Sequence, residues 1–204
     1  GYDAFHPNAE RTYRVNTEAI RKDGGKEGYA SSPLPLSVEL KQNYPFVEHV
    51  VNLTRGLNGE ANFDSKAINV NGYFTSNEFL NVFGYELLYG NKATLFNEPN
   101  AIVLTHKTAV KFFKNDNPVG KVITIKGIGD FAVSGVLKDA PGKTHLEFDL
   151  LGSDNFLPTF DKTSPPEFTV LNNWLNYYAT YTYVTLKDIS YKPALKNALA
   201  KMST

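Results

Sequence analysis

The chain has 204 residues, of which 21 are basic, 21 are acidic and none is cysteine, so its formal net charge is zero. Without cysteine it can form no disulfide scaffold, no thiolate zinc site and no cysteine nucleophile. The balanced charge removes the basic field on which non-specific nucleic-acid binding depends, so we expect no nucleic acid as a partner. With 42% hydrophobic and 21% charged residues, the composition is that of a globular domain with a core of its own.

Neither a membrane helix nor a leader is evident in the sequence. The longest unbroken apolar run, Ala101 to Leu104, is far shorter than the roughly 20 residues that cross a membrane. The chain opens on Gly1-Tyr2-Asp3 without a basic leader, so we expect a mature protein or a piece of a longer one. The lack of cysteine fits the cytosol and the bacterial envelope equally well.

Hydrophobic periodicity and turn residues predict a chain that alternates short strands with short helices. The predicted strands are, in chain order, 11–17, 47–54, 67–72, 85–89, 101–104, 121–126, 131–137, 145–151 and 177–186. The predicted helices are 35–43, a short one capped by Thr75 or Ser76 and ended by Gly84, 107–114 and 192–202. Residues 21–32, with adjacent glycines, and 152–173, with three prolines, are predicted as loops. Paired strands beside isolated helices exclude an uninterrupted series of β-α-β units, so the predicted fold class is α+β.

Motifs for catalysis and metal binding are absent from the sequence. The four histidines, at positions 6, 49, 106 and 145, are not spaced to bring two ligands to one metal. His145, Glu147 and Asp149 would share one face of a strand and could hold a cation or serve a hydrolase, but such alternation is more typical of a solvent-facing strand. No G-x-S-x-G elbow and no phosphate-binding glycine loop is present. We therefore predict no catalytic, cofactor-binding or metal-binding residue and no enzymatic activity.

An aromatic cluster near the end of the chain is the one pattern that suggests a ligand platform. It comprises Trp174, Tyr177, Tyr181 and Tyr183. On a strand over 177–186 the three tyrosines share one face by parity, whereas Tyr178 takes the other. Stacking of sugar rings on these aromatics would make the chain a free-standing glycan-binding module, although aromatic residues on strands more often pack a core. This module is the alternative to the function described next.

Two stretches of the sequence carry a family resemblance. The first is residues 2–15, and the second combines residues 100–113 with Asn117-Pro-Val-Gly-Lys121 and with residues 131–139, Phe-Ala-Val-Ser-Gly-Val-Leu-Lys-Asp. The first resembles the segment after the first membrane helix in ABC-transporter permeases of the MacB/FtsX type, in particular those of Bacteroidetes. The second resembles the MacB-like periplasmic core domain. Gly72-Tyr-Phe74 also fits the family pattern, so the resemblance spans essentially the whole chain.

The resemblance implies a domain of two parts. A porter-like β-α-β subdomain would be built from both chain ends, residues 1–56 and 144–204. A smaller, strand-rich, Sabre-like subdomain would be inserted between them over residues 57–143. The two chain ends would lie side by side, because each continues into a membrane helix in such permeases.

The resemblance also implies a function that needs no chemistry in this chain. The domain would lie in the periplasm as part of a bacterial inner-membrane protein. There it would couple ATP-driven conformational change across the membrane to the export or handling of an envelope substrate. ATP would be hydrolysed in a separate nucleotide-binding domain or cytoplasmic ATPase subunit, reached through the membrane helices of the permease, and no cofactor is implied. A periplasmic adaptor and a second copy in a dimer are further partners that the resemblance allows.

Overall fold

A computed structural model describes residues 6–203 and shows a mixed α+β fold, the class that the sequence predicts. The strands are β1 (Thr12–Val15), β2 (Thr17–Ile20), β3 (Lys26–Tyr29), β4 (Val47–Phe63), β5 (Lys66–Thr75), β6 (Leu87–Tyr89), β7 (Ala101–Thr105), β8 (Val122–Ile125), β9 (Gly129–Leu137), β10 (Leu150–Ser153) and β11 (Thr180–Leu186). The helices are α1 (Leu34–Asn43), α2 (Glu78–Phe83), α3 (His106–Phe113), α4 (Leu157–Thr163) and α5 (Lys192–Met202). Nine strands form one sheet in the order β1-β11-β4-β5-β10-β7-β9-β6, with β8 beside both β4 and β9. Strands β2 and β3 form a separate hairpin.

Six strands of the large sheet close into a ring. Its order is β4-β5-β10-β7-β9-β8, and it closes because β8 pairs with β9 on one side and with β4 on the other. Alternate side chains of a strand point to opposite faces of a sheet, so each ring strand can send apolar residues inward. The resulting cluster includes Leu57, Ala61, Val70, Phe74, Ile102, Leu104, Ile123, Ile125, Phe131, Val133 and Leu150, all buried.

Aromatic side chains fill both ends of the ring. At one end Phe113 of α3 meets Phe63 with ring centroids 4.6 Å apart. At the other end Phe156 and Phe160 lie against Phe74, at centroid distances of 5.7 and 5.5 Å. The ring is therefore a packed core and not a channel.

Strands β1, β11 and the first half of β4 extend the sheet beyond the ring. Because Val50 and Val51 are neighbours on β4, they point to opposite faces. On the face of Val50, helices α1 and α5 pack with Leu36, Leu40, Leu195 and Ala198 against Val15, Val184 and Leu186. On the face of Val51, helix α2 packs with Phe79, Leu80, Val82 and Phe83. This outer layer therefore carries a helix on each side.

A chain of hydrogen bonds fastens α1 to the outer layer. Ser32 Oγ donates to Thr182 Oγ1 at 3.0 Å, and Thr182 Oγ1 in turn donates to Asn52 Oδ1 at 3.0 Å. Asn52 Nδ2 donates to Ser37 Oγ at 2.7 Å, and that hydroxyl donates to the carbonyl of Leu34 at 2.7 Å. A buried polar group costs free energy unless it is paired, and here each member has a partner. The chain of bonds fixes the start of α1 over β4 and β11.

Both ends of the described chain reach the same part of the outer layer. Strand β1 pairs antiparallel with β11, the strand that precedes α5. Val15 of β1 and Leu195 of α5 belong to one buried cluster, against which Tyr13 and Met202 also pack. The ammonium of Lys192 lies 5.2 Å from the centroid of the Tyr13 ring. Residues close to the two ends of the chain therefore share one small core.

Several predicted elements differ from the structure. The strand predicted over 47–54 continues to Phe63, through a bulge between Thr54 and Leu57 where Gly56 takes a positive φ of 125°. The loop predicted over 21–32 contains strand β3, which is paired with β2 although its side chains are largely exposed. The loop predicted over 152–173 contains α4, because Pro158 lies in the first turn of that helix, where proline is tolerated.

The strand predicted over 145–151 is wrong for its first five residues. Only Leu150 and Leu151 belong to a strand, which then runs on to Ser153. Leu146 and Phe148 pack against the cluster beneath α2, which explains the alternation in the sequence. Their segment is nevertheless outside the ladder, and regular pairing begins only where β10 meets β5 and β7.

Candidate ligand-binding cleft

One face of the outer layer carries a row of aromatic and cationic side chains. Strand register places Arg14 of β1 opposite Tyr183 of β11, and Tyr181 of β11 opposite Leu53 of β4. Residues that are directly opposite on adjacent strands share a face, so these four side chains lie together. Tyr73 of β5 joins them, with its ring centroid 6.2 Å from that of Tyr181.

Two adjoining cavities lie over this row of side chains. The first has a volume of about 640 Å³ and is lined by, among others, Arg14, Tyr73, His145, Tyr181 and Tyr183. The second, of about 550 Å³, shares Tyr73 and His145 with the first and adds Arg55, Glu147 and Asp149. We call the two together the aromatic cleft. Each volume falls in the range of cavities that hold small ligands.

The phenol of Tyr73 lies where the two cavities meet. Burial raises the pKa of this phenol, and the neighbouring Tyr181 and Glu147 add to the rise, while Arg55 opposes it. Arg55 contacts the Tyr181 hydroxyl and also lies over the Tyr181 ring, 4.8 Å from its centroid. The guanidinium of Arg55 is therefore held by the wall of the cleft, and the Tyr73 phenol stays protonated.

The two cavities differ in charge. Arg14 provides the fixed positive charge of the first cavity, and none of the described residues that line this cavity is acidic. Within the described residues Arg14 has no carboxylate partner. The second cavity carries Glu147 and Asp149, and the carboxylate of Asp149 accepts a hydrogen bond from the Asn71 amide at 2.8 Å. The second cavity also holds the Arg55 guanidinium, so the aromatic cleft carries an unopposed positive charge at the Arg14 end and a mixed set, two carboxylates and one guanidinium, at the other.

The structure separates the aromatic residues that the sequence groups together. Tyr181 and Tyr183 line the aromatic cleft, whereas Trp174 and Tyr177 lie outside it, on the segment before β11 begins at Thr180. Because Tyr177 is not in the strand, the parity argument does not extend to it. Its ring instead packs on Tyr178 and Tyr29, with centroid distances of 4.3 and 5.1 Å. The glycan-binding module stays a prediction, but its four aromatic residues do not form one platform.

A second surface feature is a shallow apolar groove of about 1050 Å³. It lies between Phe160 and the segment 166–179, with Phe168, Leu175 and Tyr178 in its lining. These three side chains are exposed, by 63%, 81% and 51%. Large exposed apolar groups are typical of contact surfaces, but this groove presents few polar groups that could orient a small ligand.

No metal centre is formed by the acidic and histidine side chains in the part of the chain that the structure covers. Across residues 6–203 no three His, Asp or Glu side chains are placed to hold one ion. His145, Glu147 and Asp149 border the aromatic cleft, but their segment is not the strand that would align them on one face. His49 is instead paired with Glu78, with Nδ1 2.6 Å from Oε2.

Comparison with known proteins identifies the family. The family model of the MacB-like periplasmic core domain matches residues 2–202. The chain belongs to this family. The resemblance seen in the sequence is thereby confirmed, and the family is a periplasmic domain of permeases and not a catalytic domain. No helix in residues 6–203 of this MacB-like domain is long and apolar enough to cross a membrane.

Solved structures share the fold of the MacB-like domain. A domain assigned to a permease of Porphyromonas gingivalis has a TM-score of 0.77 at 20% identity, covering 98% of this chain and 84% of the other. The periplasmic region of MacB from Actinobacillus actinomycetemcomitans has a TM-score of 0.63 at 16% identity, covering 94% and 80%. The extracellular domain of the ABC-type transporter YknZ from Gram-positive bacteria has a TM-score of 0.64 at 16% identity, covering 92% and 88%. A search of curated proteins finds no match.

Three residues of the aromatic cleft were not singled out by sequence reasoning as binding residues. Arg14 reads as the polar side of an edge strand, and Arg55 reads as the end of one. Tyr73 appears only within the family motif Gly72-Tyr-Phe74. No local pattern marks these residues, because they meet through the pairing of strands that are far apart in the sequence.

Proposed function

We propose that this MacB-like domain is the extracytoplasmic part of an ABC-transporter permease and transmits ATP-driven conformational change to an envelope substrate. The observation that carries the proposal is that β1 and α5, the elements nearest the two ends of the described chain, pack in one core. Val15 and Leu195 share a buried cluster, so membrane helices continuing from both ends would leave from one side of the domain. A domain held at one place can be moved as a unit by those helices.

The proposed transmission of movement involves two parts of the domain. We propose that residues 1–56 and 144–204 form a porter-like part near the membrane and residues 57–143 a strand-rich part farther away. The bulge in β4 between Thr54 and Leu57 coincides with the first boundary. Strand β10, from the second segment of the porter-like part, pairs within the ring between β5 and β7. Hydrogen-bonded strands therefore link the two parts and would pass movement from one to the other.

The chemistry of ATP hydrolysis belongs to another component in this proposal. A cytoplasmic ATPase subunit or nucleotide-binding domain would bind and hydrolyse ATP and act on this domain through the membrane helices. A periplasmic adaptor or a second copy of the permease would be the extracytoplasmic partner. The family supports this setting, because its model describes a MacB-like periplasmic core domain and the periplasmic region of MacB shares the fold.

The proposal is tested by measuring the position of the domain above the membrane. Because these 204 residues contain no cysteine, Lys111→Cys on α3 and Lys196→Cys on α5 each give one labelling site on an exposed side chain, once any cysteine elsewhere in the full-length permease and its ATPase has been replaced. The full-length permease would be reconstituted with its ATPase in vesicles that carry an energy-transfer acceptor on the lipid headgroups. We expect transfer from the Lys111→Cys label to change when ATP is added and to return as ATP is hydrolysed to ADP.

A double-labelled variant provides the control. With donor at Lys111→Cys and acceptor at Lys196→Cys in one chain, transfer within the domain should change far less than transfer to the lipid, because strands connect the two sites. An ATPase variant that binds ATP without hydrolysing it should hold the changed signal. Equal transfer to the lipid with ATP, with ADP and without nucleotide would contradict the proposal.

A further inference from the structure

The aromatic cleft combines features that select a ligand and that the transport function does not require. Its floor is built on four adjacent strands: their register fixes the positions of Arg14, Tyr181 and Leu53, and Tyr73 lies on β5 opposite the bulge of β4. Leu53 is fully buried beneath the tyrosines and gives the floor an apolar base, whereas Arg14, His145 and the tyrosine hydroxyls make the rest of the lining polar. Concave sites that join apolar surface to a small number of fixed polar groups are the usual form of small-molecule sites.

The polar groups of the first cavity favour an anion. The Arg14 guanidinium has no carboxylate partner among residues 6–203, and the described lining of this cavity contains no acidic side chain. An arginine can hold a carboxylate, sulfonate or phosphate through two parallel hydrogen bonds. Tyr183 lies directly across the ladder from Arg14, so a ligand held by Arg14 would rest against that ring.

The walls of the first cavity favour a ring. Phe83 meets Tyr183 edge to face with centroids 4.9 Å apart, and Tyr73 meets Tyr181 in the same way at 6.2 Å. Flat aromatic surfaces that are fixed in this manner bind other rings better than flexible chains, because stacking needs little further ordering. At the far end of the aromatic cleft, Glu147 and Asp149 outnumber the one guanidinium, Arg55, so a second negative charge on the ligand would be disfavoured there.

We propose that the aromatic cleft binds a ring-bearing, amphipathic molecule with a single anionic group, which Arg14 holds while Tyr181 and Tyr183 contact the ring. The proposal does not depend on the transport function, since it rests only on the geometry and charge of this face.

The test uses a matched set of small probes that differ in charge. Binding of 2-naphthoate, 2-naphthylmethanol and 2-naphthylmethylammonium to the 204-residue chain would be followed by two-dimensional amide NMR. We expect saturable binding with the anion tightest and the cation weakest, and shifts centred on the amides of β1 and β11. Equal affinity for the anion and the alcohol, shifts centred on Phe168 and Leu175, or no saturation would each overturn the proposal.

Variants assign the binding to the named side chains. Arg14→Gln should weaken naphthoate binding by roughly tenfold while leaving the alcohol unchanged. Arg21→Gln, which removes the same charge from the exposed turn of the β2–β3 hairpin, is the matched control and should change neither. If Arg14→Gln retained the full preference for the anion, Arg14 would not be the anion-holding group and the proposal would fail.

The ring contact has its own test. Tyr181→Leu should weaken all three probes by roughly threefold to tenfold, whereas Tyr178→Leu, an exposed tyrosine outside the aromatic cleft, should not. Amide spectra of the variants establish that each is folded. Octanoate separates a ring-bearing ligand from an acyl chain, because it offers the same carboxylate without a ring. Binding of octanoate as tight as that of naphthoate would overturn the assignment of a ring.

Discussion

Asp154, the residue that follows β10, carries a half-buried carboxyl group. Burial raises the pKa of this carboxyl to about 6, although the positive charge of Lys41 opposes the rise. In the unfolded chain an aspartate has a pKa near ~3.9, so the folded chain holds this proton more tightly. The contribution of Asp154 to the free energy of unfolding therefore falls as the pH rises from about 4 to about 6. Above that range its contribution is constant.

The substitution Asp154→Asn should remove this penalty. The amide resembles the protonated carboxyl in shape and has no charge to desolvate. We expect the variant to match the wild type near pH 4 and to be more stable at pH 7, by on the order of 1–3 kcal/mol. Urea unfolding at both pH values measures the difference, with Asp116→Asn at an exposed site as the control. Equal effects of Asp154→Asn at the two pH values would contradict the expectation.

Part of the aromatic cleft could be predicted from single residues. The spacing of Tyr181 and Tyr183 shows that they share a face, and the structure places both in the aromatic cleft. Trp174 and Tyr177 are aromatic too, but they lie before β11 begins at Thr180. The alternation of side chains between the two faces of a strand therefore does not apply to them. Arg14 gives no local signal, because what makes it part of the site is its register with Tyr183, a residue far along the chain.

Among the strands, the contact of β5 with β10 depends on the absence of a side chain at Gly72. A Cβ atom there would lie 2.5 Å from the Leu150 carbonyl oxygen and 2.6 Å from Leu150 Cδ1. We expect Gly72→Ala to lower the free energy of unfolding by about 3 kcal/mol, because two paired backbones must separate. Gly28→Ala on β3 is the matched control, since nothing lies within 4 Å of its Cβ position. Thermal or urea unfolding of the two variants compares them, and equal stability would show that the ladder can absorb the methyl group.

The sequence predicts the bounds of an element best where the element has a clear apolar pattern and a turn or cap beside it. Strands β7 and β9 and helices α3 and α5 lie close to their predicted positions, since each has a clear apolar pattern and a turn or cap beside it. The sequence predicts a strand that ends at Thr54, whereas β4 continues through Gly56 and Gly59 to Phe63. In the structure both take positive φ angles within the continuing ladder, and the bend they allow carries β4 from the outer layer into the ring.

At the scale of the whole molecule, β4 contributes to the core inside the ring and to the cores on both faces of the outer layer, where Val50 packs beneath α1 and α5. Its residues Val51 and Leu53 pack beneath α2, and Leu57 and Ala61 pack inside the ring. We expect the two parts to unfold together, because neither can lose its packing without disturbing this strand. Native-state hydrogen exchange should give the amides of 50–54 and 57–61 opening free energies that agree within ~1 kcal/mol. A ring that opens at distinctly lower free energy than the outer layer would contradict this cooperative behaviour.

The closure of the ring could not be predicted from the sequence. The hairpin of β8 and β9 is signalled by the turn at Gly127 and Gly129, and it is present. The pairing of β8 with β4, which closes the ring, joins Ala61 to Ile125. These residues are 64 positions apart in the sequence (125 − 61), so no short sequence pattern indicates that they pair. The α+β class follows from the order of the elements, whereas the pairing of distant strands depends on which faces the whole chain can bury together.

The packing of β1 against α5 through Val15 and Leu195, close to the two ends of the described chain, also has a consequence for engineering. A folded unit whose ends leave from one place can be grafted into a surface loop of another protein without forcing the loop apart. Equally, a flexible linker could join the two ends while the chain is opened in the exposed turn between β2 and β3, giving a circular permutant that keeps the same contacts. The domain should therefore fold as one unit when it is inserted into a surface loop of a different protein.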